Sequence, residues 1–339
     1  MTPSVEELAA AIRAGDRRSL ARAITLVEST RADDQERAGA LLDALTPDAG
    51  GALRIGITGS PGVGKSTFIE AFGLHLVGAG HPGPERPPGA GKKVAVLAVD
   101  PSSSRTGGSI LGDKTRMPGL ASSPEAFIRP SPSGTSLGGV ARRTREAITL
   151  CEAFGFDVVI VETVGAGQAE GAVADLVDVF VLLVAPGGGD DLQGIKRGIM
   201  ELADVLVITK ADGDLAATAR HTAADYRHAL ELLRPKAGAG AAPVLTCSSL
   251  AGEGILEVAD TVAGLQATWA ASGRLADLRA GQATAWMWND VQARLGEAVR
   301  SHPAVVALAP GLEAQVTAGT LSPTTAARRL LDAFRRPGS

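Results

Sequence analysis

The stretch GSPGVGKST, Gly59–Thr67, follows the short apolar run Ile55-Gly56-Ile57-Thr58 and runs into FIEAFGLHLV. It stands between a strand pattern and a helix pattern, the context in which G-x-x-x-x-G-K-[ST] acts as a phosphate loop. In that setting the N–H groups of the loop and of the helix start converge on phosphate oxygens. Gly59, Gly62 and Gly64 permit close approach and unusual torsions, and Ser60, Pro61, Val63 and Thr67 complete the loop. Lys65 is expected to reach the β- and γ-phosphates, and the Ser66 hydroxyl to ligate Mg²⁺. The bland alternative, a capped turn carrying a chance lysine, does not account for both flanks.

Outward from this loop, further short β-rich runs appear: KVAVLAVD, FDVVIVET, DVFVLLVAP, DVLVITKAD and APVLTCSS, with helical patterns between them. Continuous apolar strands alternating with helices predict an α/β fold, a mostly parallel sheet flanked by helices on both faces. Before it, residues 4–46 read as helices, with Gly15 as a helix stop. After Gly254 the strands cease and only helical patterns follow. The expected division is a helical arm over 1–50, a nucleotide domain over 51–254 and a C-terminal helical region over 255–339. The Pro- and Gly-rich stretch 80–92 reads as a lengthened surface loop.

Composition narrows the classes. The 339 residues carry 33 basic and 37 acidic side chains, a net charge of −4, which argues against a nucleic-acid partner held through phosphates. Cys151 and Cys247 stand alone, too few for a disulfide framework or a thiolate cluster. No apolar run is long enough for a bilayer, and the first residues lack a secretory core. The expectation is a cytoplasmic protein without a membrane partner.

Two more segments face the same ligand. VITKAD, Val207–Asp212, is similar to the guanine-reading N/T-K-x-D motif, with Thr209 where Asn is commoner. Guanine offers two adjacent donors, N1–H and N2–H₂, which the Asp212 carboxylate can accept together and adenine cannot supply. Lys210 is expected to lay its stem along the base. Thr209 is expected to loosen the loop without removing Asp212. Farther on, Cys247, Ser248 and Ser249 stand where a backbone N–H meets guanine O6. Asp100, Asp113 and Glu162 lie at strand ends or adjoining loops, where carboxylates gather for Mg²⁺ and hydrolysis; each could also be a cap or turn residue. In ETVGAGQ, Gly165 could offer its N–H to the γ-phosphate, while the spacing of Gln168 gives it no catalytic role.

The segments AVDPSSSRTGGSILGDKTRM, VETVGAGQAE, APGGGDDLQGIKRGIMELAD and TKAD together resemble the MeaB/ArgK family of GTPases, relatives of the methylmalonic aciduria type A protein. The resemblance covers nearly the whole chain. It implies a P-loop NTPase fold of the SIMIBI type, GTP/GDP and Mg²⁺ as ligands, and a homodimer. It further implies a chaperone of an adenosylcobalamin-dependent acyl-CoA mutase, usually methylmalonyl-CoA mutase, gating cofactor loading by GTP hydrolysis. On the matching motifs Lys65, Asp100, Asp113 and Glu162 carry over as the catalytic set. Ser66 joins the three acids at the metal, and Asp212 reads the base. The segment Gly187–Gly198 corresponds to a mobile switch that communicates with the mutase. Trp286, Met287 and Trp288 are either apolar anchors for a dimer or ordinary helix core.

Other readings use parts of the same pattern. A nickel-insertion GTPase needs His- or Cys-based ligands, and His75, His81, His221, His228 and His302 are scattered. A small-molecule kinase or transport ATPase is opposed by Asp212 and by the lack of an evident acceptor domain. The group Arg142, Arg143 and Arg145 reads first as a solvated helix face, otherwise as a contact for an acidic partner or a CoA phosphate.

Overall fold

Helix α1, Val5–Arg13, starts from a reciprocal cap: the Ser4 hydroxyl accepts from the Glu7 N–H at 3.2 Å, and the Glu7 carboxylate accepts from the Ser4 N–H at 2.8 Å. It stops where Gly15 turns left-handed at φ 80°. Asp16 then caps α2, Arg17–Glu28, and α3 follows over Ala32–Leu45. The computed structural model describes residues 3–78, 91–99, 116–130, 137–163, 169–187, 197–231 and 241–335. Stretch 80–92 lies almost wholly outside them.

The strands are β1 Leu53–Gly59, β2 Val94–Val99, β3 Ala126–Pro130, β4 Val158–Thr163, β5 Val179–Val184, β6 Val205–Ile208 and β7 Val244–Thr246. They form one seven-stranded sheet in the order β3-β2-β4-β1-β5-β6-β7, every pairing parallel. Six of them are the runs read from the sequence. The seventh, AFIRP, is an edge strand carrying Arg129 and Pro130, a composition that conceals it. Between the strands lie α4 Lys65–Val77, α5 Pro118–Ser122, α6 Leu137–Phe154, α7 Ala169–Ala174, α8 Arg197–Leu202 and α9 Ala216–Glu231. After β7 come α10 Ile255–Ala271 and α11 Arg274–Ser301.

Successive side chains of a strand face opposite ways, and the sheet has a core on each side. Val181 and Leu183 pack with Phe68, Phe72, Leu120, Ile255 and Val262 under α4, α5 and α10. Leu182 and Val184 pack with Met200, Ala219, Ala223 and Tyr226 under α8 and α9. The N-terminal helices join the same unit against α6, and Arg17 reaches the carbonyls of Pro124 and Ala126 beside β3. The compact unit runs to Gln282, and Ile255, Val258, Val262 and Trp269 are part of the sheet's core.

Beneath the sheet, at the end opposite the strands' carboxyl edge, three buried charges and half-buried Arg279 come together. Arg54 grips Glu152 with two bonds, at 2.8 and 2.9 Å, and its N–H donates to Asp178 at 2.9 Å. Asp178 in turn receives Arg279 through two bonds, at 2.8 and 2.6 Å. Arg279 also donates to the carbonyls of Gly50 and Ala52, and Gln282 to that of Val177. Removing one partner of such a pair leaves a charge in a poorly hydrated place. Arg279→Ala is therefore expected to lower unfolding free energy by about 3–5 kcal/mol, read as a lower urea midpoint at unchanged slope.

The second unit, Ala283–Ser339, holds the rest of α11 with α12, Pro303–Thr317, and α13, Pro323–Arg335. Val305, Leu312 and Ala326 are buried, and the His302 ring meets Phe334 edge-on at 5.3 Å. Met287, Trp288, Val291 and Leu295 lie on one face of α11 and are exposed, Trp288 by 57%. Met287 and Trp288 are thus not helix core. No helix among the described residues is long and apolar enough to cross a membrane.

Candidate nucleotide-binding site

The carboxyl ends of β1, β4, β5, β6 and β7 share one edge, and β1 lies at the centre of the sheet. The chain leaves β1 for β2 on one side and reaches β5 on the other, so this edge is where an open α/β sheet presents its crevice. Loop Ser60–Gly64 bridges β1 and α4 there. Gly62 at φ 80° and Gly64 at φ 96° adopt left-handed torsions that side chains resist. Gly64 caps α4 without a side-chain bond, which leaves the first N–H groups of the helix for a ligand. Lys65 arches back over the loop, its Nζ 2.8 Å from the Gly59 carbonyl and 3.2 Å from that of Ser60.

On the metal side, the Ser66 hydroxyl donates to Glu162 at 3.3 Å. Glu162 is the penultimate residue of β4 and is almost wholly buried. Its neighbour Thr163 donates to Thr58 at 2.7 Å, tying the tip of β4 to that of β1. A hydroxyl and a carboxylate on adjoining strand and helix ends are a hard oxygen pair, the donor type that Mg²⁺ takes. Asp100, Asp113, Gly165 and Gln168 lie outside the described residues. Among the described residues there is no group of three or more His, Cys, Asp or Glu suited to a metal.

On the base side, Thr209 ties two loops together. It is buried, and its hydroxyl lies 2.8 Å from the Val63 carbonyl and 3.3 Å from that of Val184. It fastens the base loop to the phosphate loop. Lys210 adds a second tie, from Nζ to the Gly62 carbonyl at 2.8 Å. Its φ of 54° is a strained torsion for a residue with a side chain, and such strain concentrates at ligand sites. Half-buried Asp212 follows, and the Ala211 N–H donates to the Cys247 carbonyl at 3.0 Å.

The serine loop is similarly fixed. Cys247 and Ser248 direct their N–H groups to the carbonyls of Ile208 and Glu253, at 2.8 and 2.9 Å. The Ser248 hydroxyl accepts from the Ala251 N–H at 3.0 Å. Burial, and to a smaller extent the charge of Asp212, pushes the Cys247 thiol up to about 12 against an opposing hydrogen bond from Ser249. Cys247 is a neutral packing residue behind the loop.

The site also contains residues that the sequence reading passed over. Thr222 on α9 accepts from the Gly187 N–H at 3.1 Å, so the helix that follows Asp212 holds the start of the Gly187–Gly198 segment. The bond of Thr58 with Thr163 was likewise not anticipated, since a threonine in a strand signals only β-propensity. Of the arginine group, Arg142 pairs with Glu146 along α6 at 2.9 Å; Arg142, Arg143 and Arg145 are half-buried and Glu146 is buried, so this is not the solvated helix face expected of it.

Known proteins share this arrangement. A family model described as Methylmalonyl Co-A mutase-associated GTPase MeaB matches residues 20–304. The mitochondrial methylmalonic aciduria type A homolog of Mus musculus is 48% identical over 341 residues, covering 98% of this chain and 80% of that protein. GTPase ArgK of Escherichia coli K12 is 52% identical over 279 residues, covering 81% of this chain and 80% of that one. A crystal structure of an LAO/AO transport system kinase superposes with a TM-score of 0.74 at 38% identity, over 98% of each chain. With similarity this extensive, and with the phosphate and base loops meeting on one sheet edge, the chain is a P-loop GTPase and belongs to the MeaB family.

Proposed function

We propose that this GTPase is a cytoplasmic chaperone that protects an adenosylcobalamin-dependent acyl-CoA mutase, methylmalonyl-CoA mutase first, and gates loading of its cofactor. The observation that carries the reading is the family match over residues 20–304, whose description names that mutase.

The chain's own residues supply the nucleotide half of the mechanism. Lys65 and the open start of α4 bind the triphosphate. Asp212 accepts the two donors of guanine, and the Ser249 N–H, which neither the Ile208 nor the Glu253 carbonyl engages, is the one left to meet O6. Ser66 and Glu162 are the described residues that would hold Mg²⁺, joined in this reading by Asp100 and Asp113. A bound Mg²⁺ would neutralise charge developing on the phosphoryl oxygens. Thr209 and Lys210 keep base and phosphate loops in one fixed relation.

Communication with a mutase then follows from linkage. A partner that prefers the GTP-bound form must raise GTP affinity by the same factor. Thr222 gives the base-reading half a direct hold on the segment that begins at Gly187. The exposed apolar stripe Met287–Leu295 is the proposed homodimer surface, since such patches mark association sites.

The test is GTP turnover with and without purified acyl-CoA mutases. Methylmalonyl-CoA mutase is expected to stimulate it by about tenfold or more, which corresponds to about 1.4 kcal/mol off the barrier. Absence of stimulation by every acyl-CoA mutase tried would sink the chaperone reading. The name of the related transport system kinase supports a second reading, phosphoryl transfer to a small molecule. Product analysis separates them, because a kinase yields a phosphorylated acceptor and a switch yields only GDP and phosphate.

A further inference from the structure

We infer that the buried hydroxyl pair Thr58–Thr163 sets the gap between the phosphate loop and Glu162, which makes both threonines positioning residues for the magnesium side of the site. The inference rests on the metal reading above, in which Ser66 and Glu162 hold the ion.

The strand ladders show where such a tie is needed. Backbone pairing of β1 with β4 runs from Leu53 opposite Val158 to Ile57 opposite Glu162 and ends there. Beyond that point each strand follows its other neighbour. β1 stays with β5 as far as Gly59 opposite Leu183, and β4 stays with β2 as far as Thr163 opposite Val99. The tip of β1 is pressed onto β5, since a Cβ on Gly59 would stand 2.5 Å from the Leu183 carbonyl oxygen. Across the opening between β1 and β4, the Thr163 hydroxyl donates to that of Thr58 at 2.7 Å. Side chains thus make the rung that the backbone omits.

Both threonines adjoin residues of the site. Glu162, which accepts from Ser66 at 3.3 Å, directly precedes Thr163, and Gly59, whose carbonyl receives Lys65 at 2.8 Å, directly follows Thr58. Successive side chains of a strand point to opposite faces, so Glu162 looks toward α4 while the hydroxyl pair lies on the other side of the sheet. The pair can act on the site without touching a ligand.

Stability does not account for the two hydroxyls. Each threonine is 1% exposed, with buried Val161 and Leu182 on the same face. Two valines would have the same shape, and exchanging both members of a buried hydrogen bond for apolar groups is nearly neutral or even favourable. What valines cannot supply is a fixed length across the opening. Mg²⁺ demands near-ideal octahedral geometry with oxygens at about 2.0–2.1 Å, so donors carried on the two sides of a gap serve it only if that gap is constant.

The experiment uses the full chain with three readouts: Mg²⁺ affinity of the GDP complex by calorimetry, GDP affinity without Mg²⁺, and the urea midpoint. Thr163→Val is expected to weaken Mg²⁺ about tenfold, the low end of what removing a group that orients a metal ligand costs. It should also lower the urea midpoint, because the Thr58 hydroxyl is left buried without a partner. Thr163→Ser keeps the hydroxyl and should hold Mg²⁺ within about twofold of wild type. The double variant Thr58→Val with Thr163→Val strands no hydroxyl, so its urea midpoint should return to the wild-type value or exceed it while Mg²⁺ stays about tenfold weaker. That separation of metal affinity from stability is what a merely structural pair would not give, and it can be read even if Thr163→Val alone does not fold. Wild-type Mg²⁺ affinity in the double variant overturns the inference. So does an equal loss of GDP affinity without Mg²⁺, which would place the change in the phosphate loop itself. A wild-type GDP complex that takes up no Mg²⁺ overturns the metal reading, and this inference with it.

Discussion

Lys65→Ala is expected to lower single-turnover GTP hydrolysis by about a thousandfold, the upper end of what removing one preorganised charge-stabilising donor costs. In phosphoryl transfer, charge spreads over the equatorial oxygens of the moving group, and the protein's task is to hold compensating groups in place beforehand. Lys65 is held that way: its ammonium lies against the Gly59 and Ser60 carbonyls, over the loop that receives the phosphates. Folding should be little affected, because the apolar contacts of α4 come from Phe68, Ile69, Phe72 and Leu76. Lys65→Arg is not expected to rescue, since a planar guanidinium cannot occupy the place of a compact ammonium between two carbonyls. Quench-flow measurement of phosphate release decides the matter, and turnover within tenfold of wild type would refute the assignment.

The second large effect concerns the base. Asp212→Ala should weaken GTP binding by about a thousandfold, because two charge-assisted bonds are lost together. ATP, which never supplied the donor pair, should bind as weakly as before. Asp212→Asn is more informative. The asparagine carbonyl still accepts from N1–H, but its amide hydrogens now face the guanine amino group, donor against donor. Xanthine bears a carbonyl at that position and restores the match, so the variant should prefer xanthosine triphosphate to GTP. Calorimetry with the three nucleotides reads both predictions, and unchanged GTP affinity in Asp212→Ala would end the guanine assignment.

These groups were legible in the sequence because each lies in a local pattern. GSPGVGKS needs only its own flanks, and TKAD needs only a preceding strand. What the sequence concealed was made by distance along the chain. Arg54, Glu152, Asp178 and Arg279 look like four unrelated surface charges until the fold brings them together. Glu70, between apolar residues of α4, reads as one solvated acid, and its carboxylate accepts N–H groups of a turn about fifty positions later. The tie from Thr209 to the Val63 carbonyl was likewise hidden, because the two residues lie far apart in the chain. Strand β3 went unseen because an edge strand tolerates the arginine and proline that disqualify a central one.

The buried Asp178–Arg279 pair also bears on how the protein is made. As the chain leaves the ribosome, all strands of the sheet are available once Thr246 has emerged, yet the carboxylate under β5 must wait for a cation encoded a hundred codons after it. Until then that carboxylate lacks its ion-pair partner, which only α11 brings. A gene fragment ending at the serine loop would lack the cation that pairs with Asp178.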